Sequence, residues 1–199
     1  MLEKSFHICF IAPAIYGLYN PQARAPFSDA DMQIHELARF LGTHDDLDIS
    51  IITGDYGQEN VEYYDGVLVY RTKPAVPIPF FKRLWSEKTP FQNLVKKINA
   101  DVYVCCGTSF HVAETAEYCR KHHRPFVYRV SHQRECDGSF TKNLSEEGER
   151  FGRALQQATR VICQTEAQRS LLRRTEKLDS IAIPNGVPIY MPSEIQKQE

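Results

Sequence analysis

Apolar and polar positions alternate along this chain with two periods. Short apolar runs cover residues 6–12, 48–53, 66–71, 101–106, 125–130, 160–164 and 180–183, most of them stopped by Gly, Pro or Asp. Runs of that length and β-branched content read as buried strands. Between them the period changes to that of a helix. Ala30, Ile34, Leu37, Ala38 and Leu41 form one stripe, introduced by a Ser28-x-x-Asp31 capping box with Asp29 in the first turn. Phe91, Leu94, Val95 and Ile98 form another, after Thr89 and an N1 proline at Pro90. A helix is expected from just past Gly107 to about residue 121. Ser145 caps one whose inner face is Phe151, Ala154, Leu155 and Ala158, and Thr165-x-x-Gln168 starts one that runs to about residue 174. The prolines at 74, 77 and 79 make that stretch irregular.

Strand and helix in alternation predict an α/β domain: a Rossmann-like, doubly wound, mostly parallel sheet of about seven strands. Residues 1–187 fill this single domain, and residues 188–199 read as a polar linker. In such folds the ligand sits beyond the carboxyl ends of the strands. Chemistry is therefore expected in the loops that follow them.

Composition changes this picture little, and charge changes it more. The 199 residues are 25% charged, with a net charge of −1, so nucleic acid is not the expected partner. The charge is uneven: residues 1–70 carry −8, residues 71–134 carry +8 and residues 135–199 carry −1. The basic block either makes an anion-attracting face or faces the acidic block across the fold. The six cysteines include no C-x-x-C and mostly sit in apolar runs, as reduced, buried small hydrophobes do. The longest uncharged stretch is broken by Pro13, Gly17, Asn20 and Pro21, so it fits neither a membrane span nor a signal peptide. A cytoplasmic location follows, in which the Asn143-Leu144-Ser145 sequon meets no glycosylation machinery. The mixed aromatic and basic residues from Phe80 to Trp85 either touch the inner face of an anionic membrane or anchor a loop to the core.

Several chemistries are absent from the motifs. There is no G-x-G, no P-loop, no H-E-x-x-H and no G-x-S-x-G. Cys163 and Arg169 have the spacing of a cysteine phosphatase loop, but Glu166 inside it would repel the phosphate dianion. His122 and His123 end a basic helix, where cations suit the helix dipole without any metal.

What remains is a set of loops. The one after the first strand is long and carries Tyr16, Gly17 and Arg24, then enters the helix at Ser28 and Asp29, whose amides can hold an anion. Gly107 and Thr108 follow the fourth strand. His132, Arg134, Glu135 and Asp137 follow the fifth, where a polar loop binds sugar hydroxyls or phosphate, or is simply solvated. Glu166 follows the sixth.

The order of these pieces resembles the N-terminal half of a GT-B glycosyltransferase of family 4, also called group 1. The helix 32–41 with strand 47–53 is similar to the family's opening helix and second strand. Asp101-Val102-Tyr103-Val104 resembles its "DVIHAH" strand, Arg124 to Tyr128 its "IPVV" strand, and Ala158 to Ala167 its "AD-VI-VSEA" segment. Ile183-Pro184-Asn185-Gly186-Val187 matches its "IPNGV". The family's Gly-Gly turn before the first helix is here Phe27-Ser28-Asp29-Ala30, and the place of its active-site His is held by Ser131, with His132 one residue on.

The resemblance implies retaining sugar transfer from a nucleotide-sugar to a polysaccharide, glycolipid or small-molecule acceptor. No metal or other cofactor is implied, the donor being a substrate. His132, or Ser131 in its register, takes the catalytic place, and Tyr16, Gly17, Arg24, Ser28, Asp29, Gly107, Thr108, Arg134, Glu135, Asp137 and Glu166 are candidate substrate contacts. The family's Glu-x7-Glu motif belongs to a C-terminal donor-binding domain, and no two Glu are so spaced here. On this reading the chain is the acceptor-side half, inactive alone, because one open wall neither neutralises the leaving phosphates nor excludes water. Two alternatives stay open: a non-catalytic Rossmann-like nucleotide- or ligand-binding module, and an enzyme with an unrecognised nucleotide cofactor.

Overall fold

Among the described residues, eight strands form one sheet in the order β3-β4-β2-β1-β5-β6-β7-β8. The structure, a computed structural model, describes residues 5–72, 90–109, 111–141 and 146–186. Thr89, the 74–81 proline stretch, the Phe80–Trp85 patch, the Asn143 sequon with Ser145, and the 188–199 linker lie outside the described residues.

In chain order the strands are β1 (Phe6–Ile11), β2 (Leu47–Thr53), β3 (Val61–Tyr64), β4 (Val67–Arg71), β5 (Val102–Cys106), β6 (Phe126–Arg129), β7 (Arg160–Cys163) and β8 (Ile181–Ala182). The helices are α1 (Tyr16–Tyr19), α2 (Asp29–Leu41), α3 (Pro90–Ile98), α4 (His111–His122), α5 (Glu146–Gln157) and α6 (Glu166–Thr175). All neighbouring strands pair in parallel except β3 with β4.

That exception is the element the apolar pattern misses. Asp65 and Gly66, both with positive φ (44° and 86°), close a tight antiparallel hairpin, so the sheet has eight strands rather than about seven, and one runs backward. Asp-Gly favours the type I′ turn because both central residues need the left-handed region. Gly66 also lies against the backbone of Gly42, where a Cβ would come within 2.4 Å of the Gly42 carbonyl oxygen.

Alternation along the strands divides the core between two faces. From β1, Cys9 and Ile11 join a cluster with Phe91 and Val95 of α3, Val112 and Ala116 of α4, Phe151 and Leu155 of α5, and Leu172 of α6. Phe10 and Ala12 point the other way, into a cluster with Tyr16 and Tyr19 of α1 and Ile34 and Ala38 of α2. The domain is thus doubly wound, as the sequence predicts. No helix among the described residues is long and apolar enough to cross a membrane.

The chain turns from β1 to β2 on one side and reaches β5 on the other, so the strand order reverses between β1 and β5. Loops leaving such a point diverge and open a crevice. This is the feature of the fold that positions a site.

Candidate functional site

A cleft of ≈ 260 Å³ opens at that switch point. Its walls come from four places: Ala12, Pro13 and Ala14 after β1; Ser28, Ala30, Asp31 and Ile34 at the start of α2; Cys106 to Ser109 after β5; and Ser131 with His132 after β6. Of the predicted residues, Ser28, Gly107, Thr108, His132 and Ser131 meet here.

Each wall has its own means of support. The Pro13 carbonyl accepts three hydrogen bonds, from the Gly54 amide at 2.8 Å, the Thr53 hydroxyl at 3.2 Å and the Tyr56 hydroxyl at 3.1 Å. Gly107 has φ 73°, and a Cβ there would point at the Ser131 hydroxyl, 3.3 Å away. A glycine therefore keeps the cleft floor open beside Ser131. At α2 the capping box forms as predicted: Asp31 accepts from the Ser28 amide (2.9 Å) and hydroxyl (2.6 Å), and its own amide donates back to Ser28 Oγ at 3.3 Å. These contacts and the Asp29 and Asp31 carboxylates occupy the helix end that the sequence offers to an anion. They present acceptors for hydroxyls instead.

The wall after β6 rests on a buried carboxylate. Glu135, only 2% exposed, accepts from the Ser131 amide (2.8 Å), the Ser131 hydroxyl (2.6 Å), the His132 amide (3.2 Å) and the Tyr128 hydroxyl (2.8 Å). Burial first, and the adjacent Glu135 charge next, hold the Tyr128 phenol far up its range, so it remains a donor. Glu135 thus fixes the backbone that carries Ser131 and His132, and its own oxygens face inward. His132 itself is exposed at the cleft.

The other predicted contacts lie elsewhere. Tyr16 is buried, donating to Glu62 at 3.0 Å and stacking on Tyr56 with centroids 5.9 Å apart. Gly17 is buried where a Cβ would come within 2.3 Å of the Ala25 carbonyl oxygen, so it serves a close backbone approach. Arg24 is exposed, with φ 48°, at the end of the short turn Pro21–Ala23. Arg134 is exposed on the turn Gln133–Glu135, beyond the cleft lining. Asp137 accepts the Ser139 amide at 2.8 Å, and hydrogen bonds from Ser139 hold its carboxyl below the ordinary range. Glu166 is exposed at the start of α6 and pairs with Arg169 at 3.3 Å.

Three lining groups escaped the sequence reading as site residues. Asp31 reads as a cap and is one, yet it also lines the cleft. Ser109 follows Gly107-Thr108 and carries no signal of its own. Cys106 lies on the floor, and Arg129 beneath it donates to Cys106 Sγ at 3.7 Å and to Asn185 Oδ1. Asn185 of the Ile-Pro-Asn-Gly stretch thereby ties the end of β8 to the floor of the cleft.

The thiols are not nucleophiles at this site. Burial pushes Cys106 up to about 11, and Cys9 and Cys119 up to about 12. Cys163 is held down, first by the hydrogen bond from the Cys136 thiol, but it is fully buried, which removes the phosphatase reading of Cys163 and Arg169. No group of three or more His, Cys, Asp or Glu fit to hold a metal stands together among the described residues.

Solved structures share this architecture. UDP-GlcNAc 2-epimerase from Methanocaldococcus jannaschii superposes with a TM-score of 0.58 at 14% identity, over 90% of this chain and 46% of that one. A putative UDP-N-acetylglucosamine 2-epimerase from Listeria monocytogenes gives 0.53 at 9% identity, over 89% and 44%. The chain thus spans about half the length of the structures it matches, and at this identity the likeness concerns the fold alone. No curated protein sequence matches the chain. The sequence pattern of Glycosyltransferase Family 4 matches residues 30–189, which takes in α2, the walls after β5 and β6, and the Asn185 tie. The chain therefore belongs to Glycosyltransferase Family 4, with the architecture of the N-terminal half of a GT-B fold.

Proposed function

We propose that this domain is the acceptor-side wall of a retaining glycosyltransferase that uses a nucleotide-sugar donor and no resident cofactor, the donor being gripped by a second domain. The observation that carries the reading is the convergence of Ser28, Asp31, Gly107, Thr108, Ser109, Ser131 and His132 on one cleft at the switch point. The lining offers hydroxyls, one carboxylate and one imidazole beside an apolar floor of Ala12, Pro13, Ala14, Ala30 and Ile34. Such a set suits the hydroxyl-rich surface of a sugar, where each group can donate or accept.

The chemistry divides accordingly. An acceptor hydroxyl attacks the anomeric carbon on the face of the leaving group while the bond from that carbon to the diphosphate oxygen breaks, and the hydroxyl proton passes to the departing diphosphate oxygen. Asp31 and Ser28 accept or donate to acceptor hydroxyls, and His132 at the opposite lip orients the reacting sugar. The diphosphate's growing charge needs cations on the facing wall. The described lining holds no Lys or Arg, which is consistent with a wall that does not meet the diphosphate.

The test is transfer from labelled UDP- and GDP-sugars to a panel of sugar and glycolipid acceptors. The 199-residue chain alone transfers none, and the same chain joined to a donor-binding domain does, giving a product of unchanged anomeric configuration by NMR. Turnover by the chain alone, or inversion in the joined enzyme, overturns the proposal.

A further inference from the structure

The cleft does not end at Thr108 and Ser109. These two residues also line a narrow hollow between α4 and α5, with Val112, Ala113, Phe140 and Phe151 as its apolar walls and Glu147 and Arg150 at its charged side. Two of that hollow's residues, Ala113 and Arg150, line a further groove of ≈ 180 Å³ along the outer seam of the same two helices. Shared lining residues thus set cleft, saddle and groove next to one another.

The groove is built by two helical stripes. Ala113, Glu117 and Arg120 stand at i, i+4 and i+7 on α4; Arg150, Arg153, Ala154 and Gln157 stand at i, i+3, i+4 and i+7 on α5. These spacings put each set on one face. The two alanines bring the helices close, and longer side chains form the banks. Three arginines therefore converge on one concavity. The acidic groups near them are Glu117, in the groove, Glu149, which lies 3.5 Å from Arg153, and Glu147, which lines the hollow beside Arg150. Guanidinium forks of this kind match the oxygens of a phosphate group, in a geometry that Lys does not reproduce.

We propose that this groove is a second subsite, which takes a phosphate group carried by the acceptor. The inference rests on the acceptor-wall reading above and adds the acceptor's class. Arg120 lies eight residues beyond Val112, about 12 Å along the helix axis. The reacting hydroxyl in the cleft and the phosphate in the groove are thus separated by about that distance or more. An apolar or sugar-face segment between them crosses the saddle over Phe140 and Phe151. Of the groove arginines, Arg120 comes from the basic 71–134 block and Arg150 and Arg153 from the near-neutral block that follows.

The phosphate comes either from a soluble phosphorylated saccharide or from a lipid headgroup, and one experiment separates the sources. The 199-residue chain is titrated with inorganic phosphate and pyrophosphate by NMR. In parallel it is sedimented with vesicles of phosphatidylcholine alone or with phosphatidic acid. Saturable shifts at α4 and α5 are expected, weakened at least about fivefold by Arg120→Gln and by Arg153→Gln, and unmoved by Arg173→Gln, an exposed arginine on α6. Variant-sensitive binding to acidic vesicles assigns the headgroup. Phosphate binding without vesicle binding assigns the soluble ester. Absence of both, or an equal loss in Arg173→Gln, overturns the subsite. Because neither readout involves sugar transfer, an inactive joined enzyme with phosphate binding intact would sink the acceptor-wall reading and leave the groove standing.

Discussion

The loops leaving β1 and β6 flank β5 on either side and reach the same cleft by opposite means. After β1 the chain folds its aromatic residues inward. Tyr16 and Tyr64 both donate to Glu62, at 3.0 and 2.8 Å, and the Tyr19 ring packs against His35 with centroids 4.7 Å apart. Only small residues and backbone, from Ala12 to Ala14, face the ligand space. After β6 a charged group goes inward, Glu135, and the polar Ser131 and His132 stay at the cleft. One loop is a wall held by packing, the other a presenting arm held by a carboxylate. In both, a residue that the sequence offers as a candidate contact, Tyr16 or Glu135, is turned into the fold.

Four changes would break or sharpen that contrast. Replacing Glu135 by Ala strips four donors of their acceptor in a buried site, and a loss of about 3–5 kcal/mol is expected. Denaturant melts measure it, and a loss below about 1 kcal/mol would mean that the arm does not depend on the carboxylate. Gly17→Ala, in the packed loop, sets a methyl against the Ala25 carbonyl at 2.3 Å, where backbone must move. A loss of about 2–3 kcal/mol is expected. The same melts check it, and an unchanged midpoint would show that loop to be pliable.

His132→Ala tests the arm's purpose rather than its support. In an enzyme completed by a donor domain, turnover is expected to fall at least about a hundredfold. The melting midpoint of the domain should not move, since the imidazole is exposed. Loss of both together would make His132 structural.

The smallest effect concerns pH. Burial, only partly opposed by the neighbouring Glu36 charge, lowers the His35 pKa below its ordinary 6.5. The folded state thus favours the neutral ring, while the unfolded chain takes up a proton as pH falls through 6.5. The stability this contributes is full above that pH and is lost below it. Thermal melts at about pH 7.5 and about pH 5.5 should therefore differ less in His35→Gln than in the unchanged chain. An identical difference in both removes His35 from the account.

The elements that were legible share a cause: each is specified by neighbours in sequence. The Ser28-Asp31 box, the alternation of Cys9 and Ile11 with Phe10 and Ala12, and the N1 proline at Pro90 need only a few residues to act. The β3–β4 hairpin was missed, because Asp65-Gly66 is a turn signal but its strand Val61–Tyr64 has no run of apolar residues. It alternates exposed and half-buried positions at the sheet edge, so apolar content gives it no signal.

The site was legible only as a set of loops. That Ser28, Gly107 and His132 would share a cleft follows from strand order, which places β1 and β6 on either side of β5. That Asp31 would line it, or that Glu135 would turn away from it, depends on which side of a loop meets the core. Local spacing marks both as caps, Ser28-x-x-Asp31 and His132-x-x-Glu135, but does not say which of them also meets the cleft.

The sequence by itself determined the alternating elements, the doubly wound sheet and the family pattern, because hydrophobic period and capping act over a turn or a strand. Only the tertiary structure decided which loop residues face ligand and which face the core. It also decided that the arginines of α4 and α5 share one groove. A side chain's role there is set by what packs around it, which for the groove means arginines from two separate helices, Arg120 of α4 and Arg150 and Arg153 of α5.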